Sequence, residues 1–378
     1  MKICTIIGAR PQFIKAAAVS RAIAAHNRLT PNASPLTEVI IHTGQHYDDG
    51  MSAVFFRELE IPEPKYNLAI GSGSHGAQTG QMLAAIEKVL IEEKPDWVLI
   101  YGDTNSTLAG ALAAAKLHIP IAHVEAGLRS FNRRMPEEIN RVVADQLSTL
   151  LLCPSQVAVD NLAAEGIVSP LTPDASRLTP NVIITGDVMA DALQFAATKA
   201  SAQSDILNRL GLQPQRYILA TVHRAENTDD PRRLSNIMAA LAELAEREPV
   251  ILPLHPRTRK ILEATHLLHL TPNASHLTLL DPLGYFDIIA LEKSARMLLT
   301  DSGGMQKEAY WLKVPCITLR DETEWVETVA SGWNVLTGAD RDRIITAVHS
   351  FKPPADHPPL YGDGKAAEKI LSVLCQNL

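Results

Sequence analysis

A chain of 378 residues is longer than a typical single domain and suits two domains, and a hydrophobic share of 46% is enough to build sizeable cores. The net charge of −7 argues against nucleic acid as the main partner, although local Arg and Lys side chains can still bind a polyanion. Four widely spaced cysteines, three of them in or beside apolar runs, indicate buried free thiols in a reducing compartment. The sequence shows no signal-peptide pattern and no apolar run as long as a membrane span, so we expect a cytoplasmic protein without a membrane partner.

Short apolar segments alternate with amphipathic segments along the whole chain. The predicted strands are 2–7, 38–42, 97–101, 121–124, 150–153, 182–185, 217–221, 250–254, 277–280, 297–300 and 316–319. Because these segments are apolar on both faces, they predict parallel sheets covered by helices on both sides. The sequence therefore predicts an α/β protein with two doubly wound, Rossmann-like domains, residues 1–186 and 187–363.

One turn, at residues 299–309, joins a predicted strand to a predicted helix. Asp301 and Ser302 are followed there by Gly303 and Gly304. Glycines let a ligand come close to the backbone, and free N–H groups at a helix N-terminus favour a phosphate. Glu308 lies farther along the same helix, where it can reach a neutral part of the ligand, such as sugar hydroxyls. The alternative is an ordinary turn whose glycines serve packing.

Charged side chains follow several strands at the edge where open α/β sheets bind ligands. Arg10 and Lys15 follow the first strand, and two cations at a helix start oppose the helix dipole, which favours a function for them. Asp103 and Glu125 follow two later strands, and Glu137 begins a helix shortly afterwards. Each of these acids alone is typical of a residue with a structural role. Three acid clusters beside two cations at one sheet edge instead indicate a catalytic site.

Histidines follow two strands of the second half of the chain. His223 and His255 lie where an imidazole can act as an acid, a base or a phosphate ligand near neutral pH. The alternative for each is a helix cap or a satisfied surface residue. No metal site is predicted, since His42 and His46 lack a third ligand at useful spacing.

Residues 71–76 match the dinucleotide fingerprint G-x-G-x-x-G only formally. That fingerprint needs a strand directly before it and an acid that closes the next strand. Here the preceding segment, 66–70, is weak, and Asp96 opens a strand instead of closing one. The stretch therefore predicts a mobile glycine loop.

Taken in order, the motifs resemble the non-hydrolysing UDP-N-acetylglucosamine 2-epimerase family. The matching stretches are 8–15, 43–46, 102–106, 123–129, 136–141, 223–227, 301–309 and 320–324. The resemblance implies two Rossmann-like domains in a glycosyltransferase-B-like arrangement with a substrate cleft between them. It also implies that the C-terminal helix, 364–378, packs back on the first domain and that the protein is a homodimer.

The same resemblance implies a reaction without a nicotinamide or a metal cofactor. A base removes the C2 proton of UDP-N-acetylglucosamine, UDP leaves by anti elimination to give 2-acetamidoglucal, and re-addition yields UDP-N-acetylmannosamine. The catalytic candidates carried over by motif are Asp103, Glu125, Glu137 and His223. The candidates for binding UDP and the rest of the substrate are Arg10, Lys15, Arg141, His255, Ser302, Gly303, Gly304 and Glu308.

Two stretches bear on the substrate and on regulation. In many bacterial members of that family, the Gln-His of the second motif is followed by basic and Gln residues that serve activation by a second substrate molecule. Here Tyr47-Asp48-Asp49 follows instead, so we expect the rate to rise hyperbolically with substrate concentration. Residues 130–135 and 322–325 resemble relatives acting on UDP-2,3-diacetamido-2,3-dideoxyglucuronate, and Arg133 or Arg134 is then either a ligand of a sugar carboxylate or plain surface charge. Three other functions are alternatives to the non-hydrolysing epimerase: a hydrolysing 2-epimerase, a glycosyltransferase of the same fold and a non-catalytic nucleotide-sugar sensor. Acids near a diphosphate weaken plain binding, which argues against the sensor.

Overall fold

The computed structural model describes residues 1–30, 35–44, 60–169, 180–265 and 276–377. The chain forms two compact units, one made of Met1–Ala192 and Tyr361–Leu378, the other of Leu193–Leu360. The division falls a few residues beyond Gly186, inside a helix. His46 and Tyr47-Asp48-Asp49 lie outside the described residues, and so does the stretch 52–59, whose sequence predicts a helix.

The first unit contains a sheet of seven parallel strands in the order β3-β2-β1-β4-β5-β6-β7. These strands are β1 (Lys2–Ile7), β2 (Thr37–His42), β3 (Tyr66–Asn67), β4 (Trp97–Tyr101), β5 (Ile121–Val124), β6 (Leu150–Cys153) and β7 (Asn181–Ile184). The helices are α1 (Arg10–Leu29), α2 (His75–Glu93), α3 (Asn105–Lys116), α4 (Pro136–Leu147), α5 (Gln156–Ala164) and α6 (Val188–Gln203), which leads into the second unit. Every residue of β4, β5 and β6 is buried, as expected of parallel strands covered on both faces.

Helix α3 packs very closely against the first sheet. A Cβ at Gly110 would lie 2.7 Å from Ile6 Cδ1 and 3.2 Å from Ile100 Cγ2, so any larger residue there requires the Ile6 side chain to move. The C-terminal helix also belongs to this unit and contacts α1. Its first two N–H groups, those of Ala366 and Ala367, donate to the Asp191 carboxylate at 3.1 and 2.6 Å.

The second unit contains a sheet of six parallel strands in the order β10-β9-β8-β11-β12-β13. These strands are β8 (Ile218–Thr221), β9 (Val250–Pro253), β10 (Leu277–Leu280), β11 (Met297–Thr300), β12 (Cys316–Thr318) and β13 (Asn334–Leu336). Its helices are α7 (Ile206–Arg209), α8 (Ala225–Thr228), α9 (Pro231–Leu244), α10 (Pro256–Ala264), α11 (Tyr285–Ser294), α12 (Gly303–Trp311), α13 (Val326–Ala330) and α14 (Arg341–Ser350), and the C-terminal helix of the first unit is α15 (Ala366–Gln376). Helices α9 and α14 bury Leu234, Ile237, Leu241 and Ile344 against one face of the sheet.

The predicted α/β class is confirmed, and each predicted strand is present with its ends shifted by one residue at most. The prediction of a loop through 71–76 is wrong at its end, because His75 and Gly76 lie in the first turn of α2. Cys4, Cys153 and Cys316 are buried free thiols, as predicted. None of the helices in the described ranges is long and apolar enough to cross a lipid bilayer.

Candidate active site

Each sheet has one pair of neighbouring strands at which the winding of the chain reverses. The pair is β1 and β4 in the first sheet, and β8 and β11 in the second. Ligands of open α/β sheets bind outside the carboxyl ends of strands at such a point. Asp103 follows β4, His223 follows β8 and Asp301 follows β11 directly. The topology therefore places Asp103 at the ligand-binding edge of the first sheet, and His223 and Asp301 at the corresponding edge of the second sheet; Asp103 and His223 are predicted site residues.

A buried ion pair lies over the turn that follows β4. Lys15 Nζ donates to Glu125 Oε2, and the two side chains are only 11% and 10% exposed. Gly102 has φ +60°, and a Cβ there would lie 3.2 Å from Lys15 Nζ and 3.3 Å from Glu125 Oε2. Glu125 itself has φ +69°, a conformation that costs free energy for a residue with a side chain and that concentrates at functional sites.

A second ion-pair cluster surrounds Asp103. Arg141 Nη2 donates to Asp103 Oδ2, and Arg141 Nη1 donates to Glu138 Oε2 at 3.1 Å. Asn140 Nδ2 donates to the carbonyl oxygen of Asp103 at 2.9 Å. Within the acid pair that begins α4, Glu138 is buried and engaged, whereas Glu137 is exposed. Arg141 thus links the β4 turn to the start of α4.

A fully buried histidine fixes the turns after β4 and β5. His123 Nε2 lies 2.7 Å from the carbonyl oxygen of Gly102, and Nδ1 lies 2.7 Å from Asp145 Oδ1. A carbonyl oxygen only accepts, so Nε2 carries a hydrogen. Asp145 also accepts from Arg129 Nη1 at 2.7 Å. This network holds in place the two turns that carry the acids.

Gln12 closes the N-terminus of α1. Its Oε1 accepts from the N–H groups of Gly8 at 2.8 Å and Ala9 at 3.1 Å, and its Nε2 donates to the carbonyl oxygen of Tyr101 at 2.9 Å. The N–H groups of Gly8 and Ala9 are therefore already occupied by a side chain. The side chain of Arg10 lies outside the described residues.

In the second unit a buried carboxylate organises the turn after β8. Asp301 is 0% exposed and accepts from the N–H of His223 at 3.0 Å and the N–H of Arg224 at 3.0 Å. Asn227 Nδ2 donates to the same carboxylate at 3.1 Å. Asp301 therefore holds the segment with His223 and Arg224 against the neighbouring turn.

Hydrogen-bond donors converge on the N-terminus of α12, which Ser302 caps. A Cβ at Gly303 would lie 3.5 Å from Arg224 Nη2 and 3.5 Å from Trp325 Nε1, with Glu324 Oε2 at 3.8 Å. The nearest described contact of a Cβ at Gly304 would be Ser302 Oγ, at 3.9 Å. A helix N-terminus faced by a guanidinium and an indole N–H is suited to bind a phosphate.

The two predicted histidines of the second unit lie close together. Their ring centroids are 6.2 Å apart. Burial lowers the pKa of His223 from its ordinary value, and Arg224 and His255 act in the same direction while Asp301 opposes them. His255 Nδ1 accepts from the N–H of Arg257 at 3.2 Å, so this residue caps α10.

An acid pair lies beneath the α12 turn. Glu308 is 7% exposed, and Glu292 on α11 is 0% exposed. Among the described residues, neither carboxylate oxygen of Glu292 has a hydrogen-bond partner. Burial first, and the charge of Glu308 second, raise the pKa of Glu292 well above its ordinary value. Both effects favour the neutral, protonated form of Glu292.

A family model described as UDP-N-acetylglucosamine 2-epimerase matches residues 29–375. The chain belongs to this family. Curated relatives agree: the chain is 52% identical to a UDP-N-acetylglucosamine 2-epimerase homolog of Methanococcus maripaludis, over 99% of each chain. It is 50% identical to the UDP-2,3-diacetamido-2,3-dideoxy-D-glucuronate 2-epimerase of Pseudomonas aeruginosa, over 100% of each chain.

A solved structure supports the same conclusion. The crystal structure of the Methanocaldococcus jannaschii UDP-GlcNAc 2-epimerase in complex with UDP-GlcNAc and UDP matches with a TM-score of 0.83 and 43% identity, covering 100% of both chains. The chain is therefore an isomerase that belongs to a family of UDP-sugar 2-epimerases with a glycosyltransferase-B-like fold, as the sequence motifs predicted.

The structure brings together several predicted residues and adds partners that the motifs alone did not reveal. Three residues that position the turns of the first unit were missed: Gln12, Asn140 and Asp145. Each is a single polar residue within a helix, and one of its hydrogen-bond partners lies in a distant part of the sequence. Within the described ranges, no three His, Cys, Asp or Glu side chains are grouped as metal ligands are.

Proposed function

We propose that the protein is a non-hydrolysing 2-epimerase that interconverts UDP-N-acetylglucosamine and UDP-N-acetylmannosamine. The observation that carries this proposal is the ion-paired carboxylate cluster of the first unit, in which Glu125 meets Lys15 and Asp103 meets Arg141 at the carboxyl ends of the strands. The relative from M. jannaschii that was crystallised with UDP-GlcNAc and UDP supports the choice of substrate.

In the proposed reaction a base takes the proton from C2 of the sugar. The C2–H electron pair becomes the C1–C2 double bond, and the bond from C1 to the diphosphate oxygen breaks, so that UDP leaves with that electron pair. UDP then adds back to C1 while C2 receives a proton on the opposite face. Because no carbonyl activates C2, departure of UDP needs strong electrostatic assistance. Two proton transfers on opposite faces need more than one acid or base.

We assign the catalytic roles to Asp103, Glu125, Glu137 and His223. Glu137 is the exposed acid at the start of α4, and the lowered pKa of His223 favours a neutral imidazole that can accept a proton. Lys15 and Arg141 hold carboxylates in the structure and are cations that substrate oxygens can attract as the reaction proceeds.

We assign UDP binding to the turn between β11 and α12, with Arg10 and His255 as further candidates. Ser302, Gly303 and Gly304 offer the helix N-terminus to the diphosphate. Glu308, a buried acid one and a half turns into the same helix, suits the ribose hydroxyl groups. As a family trait we also propose that the protein works as a homodimer.

Proton NMR of UDP-N-acetylglucosamine with the enzyme tests the reaction. We expect UDP-N-acetylmannosamine signals, whereas release of free N-acetylmannosamine indicates a hydrolysing enzyme and unchanged spectra indicate a transferase or another sugar. Asp103→Asn and Glu137→Gln should abolish turnover and leave UDP affinity largely intact. Glu87→Gln, the same change at an exposed position late in α2, is the control and should keep full activity.

A second candidate substrate is UDP-2,3-diacetamido-2,3-dideoxyglucuronate. The observation that favours it is the 50% identity to the P. aeruginosa enzyme named for that substrate, which lies between the 52% identity to the M. maripaludis UDP-N-acetylglucosamine 2-epimerase homolog and the 43% identity to the M. jannaschii UDP-N-acetylglucosamine 2-epimerase. The two candidate substrates differ in charge, because the sugar of UDP-2,3-diacetamido-2,3-dideoxyglucuronate carries a carboxylate and that of UDP-N-acetylglucosamine does not.

A further inference from the structure

Lys307 is a cation buried inside the second unit. It lies one turn into α12 and is only 3% exposed. Its Nζ lies over the ring of Trp325, 3.9 Å from the ring centroid, and 5.6 Å from the ring centroid of Trp311. A lysine within about 6 Å of an aromatic ring centroid is attracted to the face of the ring, more strongly where water is excluded. The ammonium group of Lys307 is therefore in cation–π contact with Trp325.

The indole of Trp325 reaches from this cation to the N-terminus of α12. Its Nε1 lies 3.5 Å from the position of a Cβ at Gly303, the residue that begins the helix. The same ring thus has Lys307 over its face and its nitrogen at the turn to which UDP binding is assigned. A cation over the face draws electron density from the ring, which makes the indole N–H a stronger hydrogen-bond donor.

Hydrogen bonds hold Trp325 in this place. Its backbone N–H donates to Thr323 Oγ1 at 3.2 Å, and the hydroxyl of Thr323 donates to Gln306 Oε1, on α12, at 2.6 Å. The hydroxyl of Thr328, on α13, donates to the carbonyl oxygen of Trp325 at 2.7 Å. The segment before α13 is therefore tied to α12, so that little freedom is lost when the indole binds a ligand.

We infer that Lys307 is a positioning residue that acts on the diphosphate of UDP through the indole of Trp325, whose Nε1–H binds a phosphate oxygen. The inference rests on the proposed function and deepens it, because it names a donor for the leaving group. When the bond from C1 to the diphosphate oxygen breaks, the diphosphate gains negative charge. A donor polarised by a buried cation therefore stabilises the departing UDP more than the bound substrate. Lys307 lowers the barrier to elimination in this way without touching the substrate.

A carboxylate lies at the same point. Glu324 Oε2 is 3.8 Å from the position of a Cβ at Gly303, and Arg320 Nη1 and Nη2 donate to the Glu324 carboxylate at 2.9 and 3.3 Å. Because like charges repel, the diphosphate displaces this carboxylate, whose side chain is 35% exposed. The displacement leaves the indole nitrogen of Trp325 facing the phosphate.

Proton–nitrogen NMR of the protein with isotope-labelled tryptophan tests the hydrogen bond. The chain has four tryptophans, and Trp325→Phe assigns the Trp325 indole signal by its disappearance. We expect UDP to move this indole proton downfield, because a new hydrogen bond to an anion forms. Uridine, which has no phosphate, should leave the signal in place. The downfield shift should be smaller in Lys307→Met, which keeps an unbranched apolar side chain beside the ring but lacks the cation.

Steady-state kinetics on the UDP-sugar that the enzyme epimerises tests the effect of the cation on the reaction. Lys307→Met should lower kcat roughly 3- to 30-fold and change KM by less than about twofold, because the cation acts on the leaving group. Lys307→Arg should keep most of kcat, since a guanidinium also stacks on an aromatic face. In a Trp325→Phe background, Lys307→Met should have little further effect, because the donor that the cation polarises is gone.

Two matched controls separate this effect from general damage to the second unit. Lys260→Met removes an exposed cation of α10. Trp333→Phe removes an indole N–H that donates to the carbonyl oxygen of Asp356 at 2.9 Å. Both variants should keep the wild-type kcat and the response of the Trp325 signal to UDP.

The inference is overturned if UDP leaves the Trp325 signal in place, if Lys307→Met keeps the wild-type kcat, or if either control reproduces the effect of Lys307→Met. In each of these cases epimerisation by the wild-type enzyme still supports the proposed function. If the wild-type enzyme does not epimerise while its Trp325 signal responds to UDP, the proposed function is overturned, and the effect of Lys307 on elimination is overturned with it.

Discussion

Replacement of Asp301 by Asn should destabilise the second unit and loosen the turn that carries His223. The carboxylate is fully buried and accepts from three donors, namely the N–H groups of His223 and Arg224 and Asn227 Nδ2. Asparagine has nearly the same shape, but it has no charge and has only one acceptor oxygen. Its amide N–H groups would face donors that need an acceptor.

The expected loss of stability follows from these three contacts. A hydrogen bond to a charged group contributes about 1.5–3 kcal/mol, against about 1 kcal/mol for a neutral one. Loss of the charge therefore costs about 1 kcal/mol for each of the three donors, or roughly 3 kcal/mol altogether. One donor left without an acceptor adds about 1–3 kcal/mol. We also expect about tenfold weaker UDP binding, since the positions of His223 and Arg224 relax.

Urea unfolding followed by tryptophan fluorescence measures this loss, since Trp311, Trp325 and Trp333 all lie in the second unit. Isothermal titration with UDP measures the affinity. Asp230→Asn is the matched control, because Asp230 caps the exposed start of α9 and asparagine is an equally good cap. If Asp301→Asn unfolds at the wild-type urea concentration and binds UDP equally well, the role assigned to this carboxylate is wrong.

Two further substitutions test the geometry in the first unit and the buried acid in the second. Gly102→Ala should lower the free energy of unfolding by about 1–2 kcal/mol in thermal denaturation, because φ is +60° and a Cβ would press on the Lys15–Glu125 ion pair. Gly80→Ala is the control: Gly80 lies in open space on α2, so alanine should raise the free energy of unfolding by about 0.5–1 kcal/mol. Equal effects would contradict this geometry. The raised pKa of Glu292 means that the folded state keeps a proton that the unfolded chain loses above pH 4.5, so its stabilising effect is lost as pH rises. Glu292→Gln should therefore gain stability relative to wild type as the pH rises above about 4.5, and a stability difference that stays constant with pH would refute the assignment.

The strands were predictable because parallel strands covered on both faces are continuous apolar runs. Leu150–Cys153 is such a run, and all four residues are fully buried. The strands Tyr66–Asn67 and Asn334–Leu336 were missed. Both are very short strands at the edges of their sheets, and pairing with a neighbour, rather than their own composition, makes them strands.

The sequence could place the charged residues at the sheet edges but could not predict how they pair. Asp103 and Glu125 were placed because each follows a predicted strand. Glu125 forms an ion pair with Lys15, and Asp103 forms one with Arg141. Both pairs join segments that are far apart in the chain, which the sequence pattern does not reveal.

Epimerisation in heavy water tests whether the enzyme removes and replaces the C2 proton of the sugar. If a base removes the C2 proton and C2 is reprotonated from solvent, mass spectrometry and NMR should find deuterium at C2 of the UDP-sugar product, with no free sugar released. A product without deuterium at C2 would contradict proton abstraction at that carbon, and a product that appears only as free sugar and UDP would contradict a non-hydrolysing reaction.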